Sequence, residues 1–326
     1  QAEKDKFVEK GELLEIGFEK GEFSFNHDIS SEISIDDEIF IDNGKIRSRV
    51  VGKEDGKLKL RFMEEGKLSD GKGINIPGKR LSTPPLTKKD LDLIRFAEKM
   101  NIDYIAYSYT RNAGDINHLK SEMKDFDIDI IAKIENLEGL NNFKEILDAA
   151  DSIMVARGDL GIEISLEKVP MAQKSIIRQC NIKGKTVITA TEMLESMIDK
   201  PEPTRAEVSD VANAILDGTD AVMLSGETSI GRYPVKSTAM MTRIAKEVET
   251  NVKSQIWEEK SKTLSEIIRN AIQMIFQDKP IDKIVTLTRS GFTARMISRF
   301  KLSQPIIAST HSEKVRRRLE LAFGVI

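Results

Sequence analysis

The feature that most constrains the fold is a series of short apolar runs, each of which ends abruptly in charged or hydroxyl residues. Residues 130–132 and 153–156 are continuous apolar stretches, as expected of parallel strands that are buried on both faces. Similar runs lie at 102–108, 186–190 and 220–224, and amphipathic helical spacing separates them. Five strand-helix units in this order predict an α/β fold with a parallel sheet, either open or closed into a barrel.

The positions of the polar residues favour the barrel. Each of them follows the carboxyl end of a predicted strand: Ser108 and Arg111, Lys133 and Glu135, Arg157 and Asp159, Thr191, and Ser225 and Glu227. Catalytic residues have this distribution in a TIM (β/α)8-type barrel. An open sheet would more often show a Gly-rich turn after its first strand, and the sequence has none. We therefore predict such a barrel, with about five of its eight units present.

Five units cannot close an eight-stranded barrel, because the open edges would expose unpaired backbone and an apolar interior. We therefore expect the chain to be an excised or incompletely represented piece. Residues 1–85 predict a small β domain, with strand-like segments that include 32–35 and turn chemistry at 42–44 and 54–56. The barrel is predicted at 86–250 and an incomplete C-terminal α/β domain at 251–326.

Composition excludes several classes of function. The chain has 53 acidic and 50 basic residues, so no overall charge favours nucleic acid or an anionic membrane. Its one cysteine, Cys180, lies on the apolar face of a predicted helix and excludes an internal disulfide framework. No long apolar run or signal peptide is present, which predicts a cytoplasmic protein without a membrane partner.

Lys133, Glu135 and Asp159 have the chemistry of a combined metal and anion site. Side chains two apart in a strand point the same way, so Lys133 and Glu135 are predicted to face one side. Magnesium accepts one or two carboxylates and completes its octahedron with water and substrate oxygens. The lysine can neutralise charge on a transferring phosphoryl group or an enolate oxygen. The alternative is a structural ion pair, with Asp159 as a helix cap.

Several motifs together resemble the pyruvate kinase family: Lys133–Asn136, Ala156–Gly161, Thr189–Thr191, Pro203–Glu207 and Asp217–Thr228. The resemblance implies Mg²⁺-dependent phosphoryl transfer from phosphoenolpyruvate to ADP, which gives pyruvate and ATP in glycolysis. It also implies Mg²⁺ or Mn²⁺ as cofactor, K⁺ as a second candidate cation, a homotetramer, and a lid domain inserted into the barrel. Lys72–Gly78 resembles the family's exit from that small β-barrel lid.

The resemblance also assigns roles to single residues. Glu135 and Asp159 would bind the metal, and Lys133 would stabilise both the phosphoryl transfer and the enolate. Backbone N–H groups near Gly158 and Asp159 would hold the substrate carboxylate, which agrees with the helix start expected after Asp159. Thr191 would lie near the carbon that is protonated.

Some assignments have structural alternatives. Thr191 could instead be a helix N-cap, and the family usually has Gln where this chain has Glu192. Arg157 could bind substrate or support the site and the subunit interface. Ser108 could touch phosphate, although a Ser at a strand end is more often a turn residue. It opens a Ser-Tyr-Thr-Arg segment in which Tyr109 replaces the family's Phe.

The C-terminal segment predicts a second anion site. Thr288, Ser290 and Thr293 lie in a Gly-containing turn at a predicted helix start, where relatives hold an effector's phosphate. An ordinary N-capped helix explains the same pattern.

The largest departure from the family is upstream of the lid. Relatives begin with three barrel strands that carry residues for a monovalent cation and phosphate, and none of these is visible here. This leaves open a noncatalytic relative that binds phosphometabolites. A weaker third hypothesis is a magnesium-dependent lyase of the phosphoenolpyruvate-binding barrel class.

Overall fold

The computed structural model describes residues 4–18, 23–25, 27–54, 56–79, 81–123, 127–252 and 281–326. The described residues of its N-terminal part, here called the β lobe, contain eight strands: β1 (Lys6–Val8), β2 (Leu13–Phe18), β3 (Ser24–Phe25), β4 (Glu38–Ile41), β5 (Ile46–Glu54), β6 (Lys57–Phe62), β7 (Gly66–Leu68) and β8 (Ile74–Asn75). Six of them form a sheet in the order β3-β2-β6-β5-β4-β8, and β1 pairs with β7.

Alternation along β6 shows why the lobe folds this way. Leu58, Leu60 and Phe62 are fully buried, and the residues between them are exposed, so one face of the sheet covers a core. The predicted turn at 42–44 joins β4 to β5. The strand predicted at 32–35 is wrong, because this segment is irregular and the Asp37 carboxylate accepts a hydrogen bond from the Ser34 N–H at 2.6 Å, which bends the chain.

The central sheet confirms the α/β prediction. Its parallel strands are β9 (Tyr104–Tyr107), β10 (Asp129–Ile134), β11 (Ser152–Ala156), β12 (Thr186–Ala190) and β13 (Ala221–Met223). They lie in chain order, and the sheet curls into a half-barrel.

Helices cover one face of this sheet. They are α1 (Lys88–Lys99), α2 (Ala113–Glu122), α3 (Leu137–Asn141), α4 (Phe143–Ala149), α5 (Arg157–Ile164), α6 (Val169–Lys183), α7 (Arg205–Leu216), α8 (Gly226–Ser229) and α9 (Pro234–Glu249), with 3-10 turns at Leu166–Lys168 and Glu195–Ile198. Ile130, Ala132 and Ile134 of β10 pack in the core under the helices. Ile131 belongs to a separate apolar cluster on the opposite face, the side to which Lys133 also points.

Capping residues set the N-terminal ends of two of these helices. Thr87 caps α1 and Thr204 caps α7, and each forms a capping box with the acidic residue three positions later. The sequence predicts both helix starts, because a Thr followed three residues later by Asp or Glu is the pattern of a capping box. Such a cap is worth about 1 kcal/mol.

The C-terminal part contains β14 (Ile284–Leu287), α10 (Phe292–Ser298), β15 (Ile306–Ser309) and α11 (Glu313–Leu319), and its two strands are parallel. Residues 253–280 of the domain predicted at 251–326 lie outside the described residues. Lys301 binds Asp220 at 2.5 Å and Arg317 binds Asp103 at 2.7 Å, so this part is joined to the half-barrel by ion pairs. Among the described residues, every helix is too short or too polar to span a bilayer.

Candidate active site

Lys133 and Glu135 meet at the carboxyl end of β10. The Lys133 Nζ lies 3.0 Å from the Glu135 Oε2 and donates a hydrogen bond to the Ser108 Oγ at 2.9 Å. This confirms the shared side predicted from strand alternation. The lysine side chain is 23% exposed, whereas the Glu135 side chain is fully buried. The lysine therefore lies nearer the surface at the carboxyl end of the sheet, and the carboxylate lies beneath it.

The Glu135 carboxylate is incompletely satisfied. Its Oε1 accepts a hydrogen bond from the Tyr109 N–H at 2.6 Å. Among the described residues, none donates a hydrogen bond to its Oε2, which has an ion-pair contact with Lys133. Burial raises the pKa of Glu135, and the charge of Lys133 only partly offsets this. A buried carboxylate oxygen with spare capacity is suited to a cation.

Asp159 reaches the same opening from the first turn of α5. Its Oδ1 lies 3.3 Å from the Tyr109 hydroxyl, which donates to it. Burial raises the pKa of Tyr109, with the charge of Asp159 adding to the effect, so the phenol stays protonated. The helix begins at Arg157, not after Asp159 as expected.

Glu135 and Asp159 are of the residue types that magnesium prefers as ligands. Within the described ranges, no group of three or more His, Cys, Asp or Glu residues converges on a metal position. Magnesium does not require such a group, because it is usually held by one or two carboxylates with water and substrate oxygens. Glu135 and Asp159 are two carboxylates, and Tyr109 donates a hydrogen bond to each, through its N–H and its hydroxyl respectively. The Oε2 of Glu135 has an ion-pair contact with Lys133.

Thr191 lies at the end of β12 and contacts the start of α5. Its Oγ1 accepts a hydrogen bond from the Gly158 N–H at 2.8 Å and donates one to the Ala190 carbonyl at 2.6 Å. The N-cap alternative for Thr191 is wrong, because Leu194 precedes the next helical turn. Thr191 and Glu192 both have positive φ, 68° and 53°.

Arg157 holds this strained pair in place. One terminal nitrogen donates to both carboxylate oxygens of Asp210, at 2.8 and 2.6 Å. The other donates to the carbonyls of Thr191 and Glu192, at 2.7 and 3.2 Å. The side chain is 8% exposed. These contacts match the supporting role considered for Arg157, and its substrate-binding role stays a prediction.

Two residues of this region were missed or underrated by sequence reasoning. Asp210 lies 53 positions from Arg157 and was hidden among the polar positions of an amphipathic helix. Tyr109 was noted only as a replacement for Phe, although it contacts both carboxylates. Ser225 and Glu227 lie at the neighbouring strand end, where buried Glu227 accepts from the backbone N–H groups of Ser225 and Leu194 and so braces the loop.

The predicted effector turn lies in the C-terminal part. Thr288 is buried and its N–H donates to the Ser309 carbonyl, whereas Ser290 is exposed and Thr293 half-buried. Gly291, with φ at 77°, precedes α10, and no side chain caps this helix. Gly291 is therefore the N-cap of an ordinary helix start, and phosphate binding here stays a prediction.

A cavity of about 1070 Å³ opens beside the site. Asn43 and Gly44 of the β lobe line one side of it, and Gly158 and Glu192 line the other. The lobe therefore faces the carboxyl ends of the parallel strands across a space large enough for a small phosphorylated ligand.

Comparisons with known proteins agree with this geometry. Residues 19–238 match the family model "Pyruvate kinase, barrel domain", and residues 265–326 match "Pyruvate kinase, alpha/beta domain". The chain is 45% identical to a pyruvate kinase of Geobacillus stearothermophilus over 304 residues, which are 90% of this chain and 52% of that protein.

Two more distant sources give the same result. The chain is 42% identical to a pyruvate kinase of Borreliella burgdorferi (94% of this chain, 66% of that protein) and 43% identical to one of Dictyostelium discoideum (85% and 57%). The chain thus spans about half to two thirds of the length of these curated relatives. It belongs to the pyruvate kinase family.

Proposed function

We propose that this protein transfers a phosphoryl group from phosphoenolpyruvate to ADP in a magnesium-dependent reaction that yields pyruvate and ATP. The observation that carries the proposal is the Lys133–Glu135 pair at the carboxyl end of the sheet, with Tyr109 donating hydrogen bonds to both Glu135 and Asp159. The family's printed name and the barrel match over residues 19–238 support it.

The carboxylates and the lysine would have different roles in this reaction. Glu135 and Asp159 would hold Mg²⁺ or Mn²⁺, which supplies positive charge that draws together and neutralises phosphoryl oxygens. Lys133 lies 3.0 Å from Glu135 with its ammonium partly exposed, so it can approach the transferring group and the enolate oxygen. Its fixed position means that little reorganisation is needed when charge develops.

The loop of Thr191 contributes the second half of the site. Gly158 and Asp159 lie in the first turn of α5, where backbone N–H groups point towards an anion such as the substrate carboxylate. Because the Gly158 N–H donates to the Thr191 Oγ1, the Asp159 N–H would hold the substrate carboxylate. The Thr191 hydroxyl would lie near the carbon that receives a proton. Ser108 would orient Lys133 and contact phosphate.

The proposal extends to the predicted organisation. The β lobe of residues 1–85 would close as a lid over the nucleotide, the barrel of 86–250 would carry the chemistry, and residues 251–326 would regulate it. A K⁺ requirement, a homotetramer and a phosphate effector at Thr288, Ser290 and Thr293 belong to the same proposal. A glycolytic role agrees with the predicted cytoplasmic localisation.

The test is pyruvate formation by the purified protein with phosphoenolpyruvate, ADP and Mg²⁺. We expect Lys133→Met to lower kcat by about 10²–10³-fold, the usual effect of removing one preorganised donor. Lys144→Met is a matched control, because Lys144 is an exposed lysine of α4, and it should keep the wild-type rate.

Two results would contradict the proposal. Equal rates for wild type and Lys133→Met would remove the lysine from the mechanism. No pyruvate from a folded wild-type protein that still binds phosphoenolpyruvate would favour the noncatalytic relative.

A further inference from the structure

Tyr109 connects three parts of the molecule. Its backbone N–H donates to the Glu135 Oε1 at 2.6 Å, and its hydroxyl donates to the Asp159 Oδ1 at 3.3 Å. The same hydroxyl lies 3.5 Å from the Asn75 Nδ2, which donates to it. One residue therefore touches both candidate metal carboxylates and the β lobe.

The position of Asn75 is fixed by the sheet of the β lobe. It belongs to β8, an edge strand of the six-stranded sheet, where it pairs with Phe40 of β4. It is 5% exposed. Because its backbone is fixed in that sheet, a shift of the lobe relative to the half-barrel changes the distance from the Asn75 amide to the Tyr109 hydroxyl.

The order of donors and acceptors makes the connection directional. A neutral phenol has one proton to donate, and its oxygen can accept another hydrogen bond. The Asn75 amide can only donate with its nitrogen, and the Asp159 carboxylate can only accept. The series of hydrogen bonds therefore runs from the Asn75 amide through the Tyr109 hydroxyl to the Asp159 carboxylate. Hydrogen bonds in such a series polarise one another.

The backbone of Tyr109 is fixed in an unusual conformation. Its φ is +52°, a left-handed value that costs roughly 1–2 kcal/mol for a residue with a side chain. The N–H bond to Glu135 and the hydrogen bond from the Thr110 Oγ1 to the Tyr107 carbonyl at 2.9 Å both support the turn. The ring is thus aimed between Asp159 and Asn75 by the fold.

We propose that Tyr109 is a positioning residue that couples the β lobe to the metal carboxylate Asp159, so that the lobe's position influences divalent-cation affinity. This inference rests on the proposed function, because it assumes that Asp159 is a ligand. Partners that orient a ligand typically change metal affinity by about 10–100-fold. The 3.3 and 3.5 Å contacts are longer than ordinary hydrogen bonds, so we expect the lower end of this range.

The test is direct Mn²⁺ binding, measured from the electron paramagnetic resonance signal of the free ion without substrates. We expect Tyr109→Phe to weaken Mn²⁺ binding about 10-fold. Tyr107→Phe is the matched control, because the Tyr107 hydroxyl donates to the Pro85 carbonyl at 2.6 Å instead of to a carboxylate. It should bind Mn²⁺ as the wild type does.

A double-mutant cycle tests the coupling itself. Asn75→Ala should weaken Mn²⁺ binding in the wild-type background but have no further effect in Tyr109→Phe. If Asn75→Ala does not fold, Asn75→Ser gives the same comparison. Additive effects of the two substitutions would overturn the coupling.

The outcomes separate this inference from the function on which it rests. Wild type that binds Mn²⁺ together with a Tyr109→Phe variant of equal affinity would overturn the inference alone. Wild type that binds no Mn²⁺ would overturn both. Weaker binding by both Tyr→Phe variants would also overturn the inference, because a general structural effect would then explain the loss.

Discussion

Two lysine–carboxylate pairs lie at opposite ends of the half-barrel, and they differ in how completely they are satisfied. Lys133 and Glu135 lie at the carboxyl end of β10, where the Lys133 side chain is 23% exposed and none of the described residues donates a hydrogen bond to the Glu135 Oε2. Lys301 and Asp220 lie at the opposite end, before β13, with side chains 1% and 6% exposed.

Both carboxylate oxygens of Asp220 accept hydrogen bonds. Its Oδ1 accepts from Lys301 at 2.5 Å and from the Phe323 N–H at 3.1 Å, and its Oδ2 accepts from the Val187 N–H at 2.9 Å. Burial lowers the pKa of Lys301, and Asp220 opposes the shift. A buried and fully hydrogen-bonded pair such as Lys301–Asp220 joins two parts of a fold. A partly exposed pair such as Lys133–Glu135, with one carboxylate oxygen that accepts no hydrogen bond from the described residues, is suited to a ligand.

The largest expected effect is on the buried Lys301–Asp220 pair. Asp220→Asn should lower the free energy of unfolding by about 3–5 kcal/mol, because it leaves the Lys301 ammonium buried without a countercharge. Urea denaturation followed by circular dichroism measures this. A loss below about 1 kcal/mol would show that water or another group reaches Lys301, and the contrast between the pairs would fail.

The corresponding substitution in the Lys133–Glu135 pair should affect metal binding strongly and stability little. Glu135→Gln should change the free energy of unfolding by less than about 1 kcal/mol, because Lys133 is partly exposed and keeps its bond to Ser108. It should abolish detectable Mn²⁺ binding, because a metal ligand is lost. Denaturation and Mn²⁺ titration of one sample test both statements. Strong destabilisation with unchanged Mn²⁺ binding would make this pair structural.

The smallest expected effect on stability is at Glu207, a carboxylate that belongs to neither pair. Burial pushes the pKa of Glu207 up, but hydrogen bonds from Ser196 and Thr204 outweigh it and lower the pKa below its usual value. Glu207→Gln weakens the capping box of α7 and should cost about 1 kcal/mol at neutral pH.

The sign of the pH dependence follows from the lowered pKa. The stabilisation by Glu207 is fully present above the unfolded value of 4.5, and it is lost as the pH falls through the folded-state pKa. The stability difference between wild type and Glu207→Gln should therefore shrink on acidification. A difference that stays constant from pH 7 to pH 3 would contradict a role for the ionised carboxylate.

Local patterns predicted much of the fold. The parallel strands follow from apolar runs, and α1 and α7 follow from capping boxes whose partners are three residues apart. The shared side of Lys133 and Glu135 follows from strand alternation alone. The start of α5 could not be predicted as well, because its N-cap is Ala156, which makes no side-chain cap.

Long-range pairing explains the rest of what was missed. The Arg157–Asp210 pair joins helices 53 positions apart, and no local spacing encodes it. The segment 32–35 has strand-like alternation, but the Asp37 carboxylate accepts a hydrogen bond from the Ser34 N–H, and this bond competes with a sheet ladder. The contacts of Tyr109 depend on how the β lobe meets the half-barrel, which a pattern within either part does not specify.

The left-handed conformation of Thr191 and Glu192 has a consequence for how the protein meets its ligand. Two such residues cost about 1–2 kcal/mol each, and the Arg157 guanidinium compensates through both carbonyls. The hydrogen bonds of Arg157 therefore hold the loop in this conformation without a ligand, and binding that uses a preorganised loop costs less conformational entropy. Selectivity at this position would then come from shape that exists beforehand, so poorly fitting molecules would be rejected without any adjustment of the loop.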